Sequence, residues 1–105
     1  MRLALALLLA LVPALAFAAS FPERPVTAIV GYPAGGLADV TLRAVVEGMK
    51  KKFPKGIAVV NRPGAGGSIG ATEVIQSKAD GYTFGIMPIS NLVIQPQVLD
   101  LPFRT

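Results

Sequence analysis

The residues best placed to do chemistry in this chain are glycines. Tyr32-Pro33-Ala34-Gly35-Gly36 and Asn61-Arg62-Pro63-Gly64-Ala65-Gly66-Gly67 each follow a short apolar run and each lead into an amphipathic one. A loop at a strand-to-helix junction points free backbone N–H groups and the positive end of a helix dipole toward one spot. Glycine is needed there because a β-carbon would hold a ligand off the backbone, and because such turns often need positive φ. Two such loops on neighbouring parallel strands share the sheet edge at the carboxyl ends of the strands, where open α/β sheets take their ligands. Together they make a two-sided cradle for an anion.

What the loops lack narrows the anion. Gly64-Ala65-Gly66-Gly67-Ser68-Ile69 carries Ile69 where the G-x-G-x-x-G fingerprint ends in glycine, and no G-K-[S/T] follows either loop. Neither a dinucleotide nor a P-loop phosphate site fits, and a small carboxylate is the natural occupant. The chain has no histidine and no cysteine, so the commonest general base and metal ligand are missing. Ser68 has no histidine partner and no G-x-S-x-G elbow is present, which argues against a hydrolase. No catalytic residue, metal site or cofactor is expected. The net charge of +4 owes much to Lys50-Lys51-Lys52 and Lys55. That run suits a helix end and a solvated face, and without interleaved aromatics it is no nucleic-acid surface.

The elements that must position these loops alternate. Val26–Gly31 reads as a strand covered on both faces, with Pro25 at its start. A helix is expected from Ala38 to Phe53, with Val40, Leu42, Val45, Val46 and Met49 on one stripe and Pro54 and Gly56 ending it. Ile57–Val60 is a second strand. Ser68, as N-cap, opens a helix to Lys78 with Ile69, Thr72, Val74 and Ile75 facing the core. Asp80-Gly81 turns the chain into a third strand, Tyr82–Met87, with Tyr82 in the core. A loop at Pro88–Asn91 precedes a short helix around Leu92–Leu99. Strands alternating with helices predict an α/β fold with a parallel sheet. Three strands are a thin sheet, so the chain is expected to be part of something longer.

Residues 1–18 are set aside from the fold. Met1-Arg2 is a minimal positive start, Leu3–Phe17 is an apolar run broken only by Pro13, and Ala16-Phe17-Ala18 supplies the small residues of a signal-peptidase site. This predicts an exported protein with its signal peptide cleaved after Ala18. Residues 19–105 then form one incomplete α/β domain.

Phe21-Pro22-Glu23-Arg24-Pro25-Val26, Tyr32–Asp39, Asn61–Ala71 and Asp80-Gly81-Tyr82-Thr83, in this order and spacing, resemble the substrate-binding receptors of tripartite tricarboxylate transporters, the Bug or TctC family. The resemblance spans essentially all of residues 19–105. It implies the first part of domain one of a type II periplasmic-binding-protein-like fold, in which two α/β domains flank a cleft. It also implies a non-enzymatic periplasmic receptor, a monomer at full length, that captures a small carboxylate (a di- or tricarboxylate or an amino-acid-like ligand) and hands it to membrane permease subunits. A receptor that signals to a regulatory partner is the alternative.

Carried over residue by residue, the resemblance assigns ligand contacts, some through water, to Tyr32, Ala34, Gly35, Gly36 and Asp39 of the first loop. From the second loop it assigns Gly66, Gly67, Ser68 and Gly70, and from the third Ser90 and Asn91. Gly31 and Leu37-Ala38 depart from the family pattern. Three of these residues have a structural reading as well: Asp39 suits a helix dipole, Ser68 a helix cap, and Tyr32 a core position. Arg62 is read as a surface pair rather than a ligand contact.

Overall fold

The computed structural model describes residues 20–103. The signal segment and its cleavage point lie outside the described residues. Three strands, β1 (Val26–Val30), β2 (Ile57–Asn61) and β3 (Thr83–Ile86), form one parallel sheet in the order β2-β1-β3. Val26 pairs with Ile57 and Val30 with Asn61 on one side of β1, and Thr27 pairs with Thr83 and Val30 with Ile86 on the other. The loops that follow the three strands therefore meet at one edge. As the central strand, β1 buries Val26, Ala28, Ile29 and Val30, which is why its sequence is an apolar run rather than an alternation.

Helix α1 (Leu37–Met49) closes the face that carries Ala28 and Val30. Leu42 and Val46 pack there, with Ile57, Val59, Phe84 and Ile86 beside them. The buried stripe is narrower than the sequence predicts: it runs through Asp39, Leu42 and Val46, while Val40 and Val45 are exposed. Positions three and four residues apart share a helix face, and Val40 and Val45 lie to either side of this one. The helix also stops four residues short of Phe53. Turns closed by Lys52 N–H to the Met49 carbonyl and Gly56 N–H to the Phe53 carbonyl carry the chain into β2.

Helix α2 (Ser68–Gln76), entered through a single 3-10 turn at Ala65–Gly67, covers the opposite face. A β-carbon on Gly85, the register partner of Ile29, would stand 3.0 Å from Val74 Cγ2. The helix reaches the sheet on glycines. A β-carbon on Gly70 would lie 2.7 Å from Gly31 Cα, and one on Gly31 would lie 2.8 Å from the Gly67 carbonyl oxygen. Such an approach leaves no room for large side chains at the contact. Ser68, Gly70 and Ala71 are buried, whereas Ile69 and Ile75, expected on the core face, are exposed.

After β3 a π-helical turn, Ser90–Ile94, runs into a short α3 (Gln95–Val98). Tyr82 precedes β3 instead of joining its core. Its ring stacks edge-on against Phe21, with centroids 4.9 Å apart, and lies 3.8 Å beneath the Arg24 guanidinium. Its hydroxyl accepts the Glu23 N–H at 2.9 Å.

The glycine contact gives a stability test. Gly70→Ala and Gly31→Ala push a methyl group into backbone, which cannot rotate away, and each should destabilise the protein by about 1–3 kcal/mol or more. Gly48, inside α1 with nothing within 4 Å of its β-carbon position, should instead gain about 0.5–1 kcal/mol as alanine. Thermal melting of the three variants checks this. Equal effects at Gly70 and Gly48 would dismiss the contact.

Candidate functional site

Two hydrogen-bond networks organise the carboxyl edge of the sheet. The first centres on Asp39, the third residue of α1 and only 3% exposed. Its Oδ2 accepts the Gly35 N–H at 2.9 Å and Arg43 Nε at 3.0 Å, and its Oδ1 accepts Asn61 Nδ2 at 3.0 Å. Asn61 ends β2, and its Nδ2 also donates to the Tyr32 carbonyl at 3.0 Å. One carboxylate thus fixes the first glycine loop, the start of α1 and the end of β2. The Arg43 hydrogen bond, then the Gly35 amide and the Asn61 side chain, hold the Asp39 carboxyl far below the ordinary carboxylate range against a smaller opposing desolvation. The same bond raises the Arg43 pKa.

The second network joins all three loops through Asn91, which is 1% exposed. Asn91 Nδ2 donates to the Gly66 carbonyl at 2.7 Å and to Gln95 Oε1 at 2.8 Å. Tyr32 Oη lies 3.0 Å from Asn91 Oδ1 and 3.1 Å from the Gly66 carbonyl oxygen. A phenol has one proton, and the Gly66 oxygen already receives Asn91 and, at 3.3 Å, Gln95 Nε2. Donation to Asn91 Oδ1 leaves every group satisfied. Tyr32 follows β1, Gly66 follows β2, and Asn91 and Gln95 follow β3, so the three loops hold each other.

Between the first loop, the start of α1 and Pro88 lies an open depression of about 440 Å³, lined by Tyr32, Pro33, Gly36, Leu37, Ala38 and Pro88. Of the residues predicted from sequence, Tyr32 and Gly36 line it. Ala34 and Gly35 sit exposed on the same loop. The Gly35 N–H is committed to Asp39 and the Gly36 N–H to the Pro33 carbonyl at 3.3 Å. The amides left without a helical carbonyl on this side are those of the first turn of α1, at Leu37 and Ala38.

In the second loop, Gly66 is exposed, and Gly67, Ser68 and Gly70 are buried beneath it. Ser68 does not cap α2. Gly67, at φ 95°, is the N-cap, and the Ser68 hydroxyl donates backward to the Ala65 carbonyl. Ser90 is partly buried where the π-helical turn begins. Arg62 pairs with Glu73 at 2.8 Å, the surface pairing expected of it. Arg43, Asn61 and Gln95 escaped the sequence reading. The Asp39–Arg43 spacing of four, which puts opposite charges side by side on a helix, was the available signal for the first. Asn61 and Gln95 carry none.

Residues 41–105 match the sequence pattern of the tripartite tricarboxylate transporter family receptors. A UPF0065 protein of Bordetella bronchiseptica is 41% identical over 97 residues, which cover 91% of this chain and 29% of that one. Among solved structures, a periplasmic transporter superposes with a TM-score of 0.75 at 33% identity, covering 81% of this chain and 29% of that one. MatC from Rhodopseudomonas palustris, solved with bound malate, gives a TM-score of 0.74 at 30% identity over 80% of this chain and 29% of its own. The chain spans less than a third of the length of these relatives. The three-stranded parallel α/β unit corresponds to part of periplasmic binding protein structures.

The Asp39 network predicts an acid limb in stability. A carboxyl whose pKa is lowered by folding stabilises the native state above its unfolded value, and that stability drains as the pH falls below 3.8 toward the folded value. Asp39→Asn turns an amide N–H₂ toward donors, so it should lower the melting temperature at neutral pH and flatten its fall below pH 4. Melting curves across pH 2–7 check both. A variant with the wild-type acid profile would remove Asp39 from this role.

Proposed function

The chain belongs to the tripartite tricarboxylate transporter receptor family, and from that premise we propose that it supplies part of the first lobe of an extracytoplasmic receptor that captures a small carboxylate. Family members are binding receptors for transport rather than enzymes, and one relative was solved with malate. The ligand belongs to the di- and tricarboxylates or the amino-acid-like acids. A membrane permease receives it, and the receptor works as a periplasmic monomer once the leader is cut after Ala18.

One observation carries this reading: the loops after all three strands are joined by hydrogen bonds at one edge of the sheet, and beside them an open depression is lined by the first loop, the first turn of α1 and Pro88. A carboxylate there meets unpaired N–H donors and the positive end of the helix dipole. No hydrogen bond internal to the protein has to break. Asp39 supports the site from behind, by holding Gly35 and Asn61. Tyr32 and Gly36 form the wall nearest the amides. Gly66, Gly67, Ser68 and Gly70 shape the second loop, with Ala34, Gly35, Ser90 and Asn91 completing the edge.

The glycines of the edge are unequal as probes. Gly67, at φ 95°, would place a β-carbon 3.0 Å from the Tyr32 ring and 3.1 Å from Asn91 Nδ2, so Gly67→Ala damages the loops themselves. Gly36 has an ordinary φ of −74° and only the Pro33 carbonyl oxygen, at 3.3 Å, near its β-carbon position. Gly36→Ala should therefore keep the melting temperature and weaken carboxylate binding by about tenfold, because its methyl group holds the ligand off the neighbouring Leu37 or Ala38 N–H and one charge-assisted bond is lost. Titration calorimetry with malate and glutamate, in the receptor at its natural length, reads this. Unchanged affinity for every acid bound would place the site elsewhere.

A further inference from the structure

We propose that the wall of the depression selects carboxylates whose chain beyond the anchored carboxyl is unsubstituted hydrocarbon, and that Leu37 is the side chain that makes the choice. This deepens the receptor reading and rests on it. Leu37 is 87% exposed, more than any other large apolar side chain among the described residues. It opens α1, beside the amides a carboxylate would use, and covers no part of the core. Polar and acidic residues are favoured at that position by the helix dipole, so local helix energetics do not account for a leucine there. Its neighbours around the depression, Pro33, Ala38 and Pro88, are also apolar, and Tyr32 commits its one hydroxyl proton to Asn91 Oδ1.

Charge points the same way. Arg43 is paired with Asp39, Arg62 with Glu73 and Arg24 with Asp80. Lys50, Lys51, Lys52 and Lys55 lie between the end of α1 and the start of β2, and Lys78 follows α2, all at the sheet edge away from the depression. Among the described residues, no unpaired cation faces this wall. A hydroxyl or carboxylate carried on the carbons that lie against it loses water and gains no partner, whereas the terminal carboxylate of a longer diacid is carried past it. A methylene laid against it gains about fourfold in affinity.

The test is calorimetry on the receptor at its natural length, wild type and Leu37→Ser, with hexanoate, adipate, malate and citrate as probes. Wild type should bind hexanoate and adipate about tenfold or more tighter than malate and citrate. Leu37→Ser should remove about tenfold of that preference, read as the ratio of affinities between the acids, with an unchanged melting temperature, and Leu37→Met should keep the preference. Tighter binding of malate or citrate, or a uniform effect of Leu37→Ser on all four acids, overturns the selection and leaves the receptor reading intact. Failure of all four acids to bind overturns both.

Discussion

Where α2 meets the end of β1, backbone rests on backbone. Gly31 and Gly70 come so close that neither tolerates a β-carbon, and Gly67 sits in the same contact. Most of the carboxyl edge depends on it. The contact fixes the height of α2 over the sheet and so the course of the 3-10 turn that leads into it. That course aims the Gly66 carbonyl at Asn91 and Gln95. A larger residue at any of these glycines would lift the helix and pull apart a hydrogen-bond network whose members Tyr32 and Gly66 adjoin Gly31 and Gly67. The two faces of the sheet are thus held differently: α1 packs by side chains, with Leu42 and Val46 over Ala28 and Val30, while α2 packs by the lack of them.

The polar networks complete what the packing begins. Buried side chains at Asp39 and Asn91 would be costly if unpartnered, yet every buried side-chain polar atom among the described residues has a hydrogen-bond partner. Each network uses a short side chain that bonds to backbone groups of other loops. Neither network engages the Leu37 and Ala38 amides in the first turn of α1. The Gly35, Gly36 and Gly67 amides of the glycine loops are, by contrast, engaged internally. The glycines of the second loop serve chain direction, since Gly64, Gly66 and Gly67 all have positive φ.

Much of this was legible in the sequence. The β-branched run of β1, the glycine loops and the helix that follows each gave a parallel α/β sheet, and the sequence motifs gave the family. The site residues were legible as a neighbourhood rather than as roles. Asp39, Ser68 and Asn91 are at the predicted edge, but their side chains are turned inward. Whether a polar side chain faces ligand or backbone depends on partners distant in sequence, such as Asn61 for Asp39 and Gly66 for Asn91, and no local pattern encodes them. The face of α2 was misread for a related reason. Apolar periodicity points to large side chains at a contact, and here Gly31 makes the contact one for small residues.

The aromatic cluster of Phe21, Tyr82 and Phe53, with Arg24 over the Tyr82 ring, holds the entering chain against the sheet at the amino ends of the strands. The depression opens at the carboxyl ends. Ser20, exposed at the start of the described chain, therefore lies on the side opposite the candidate site. A fluorophore attached at that position would report on the amino ends of the strands without standing in the approach to the depression.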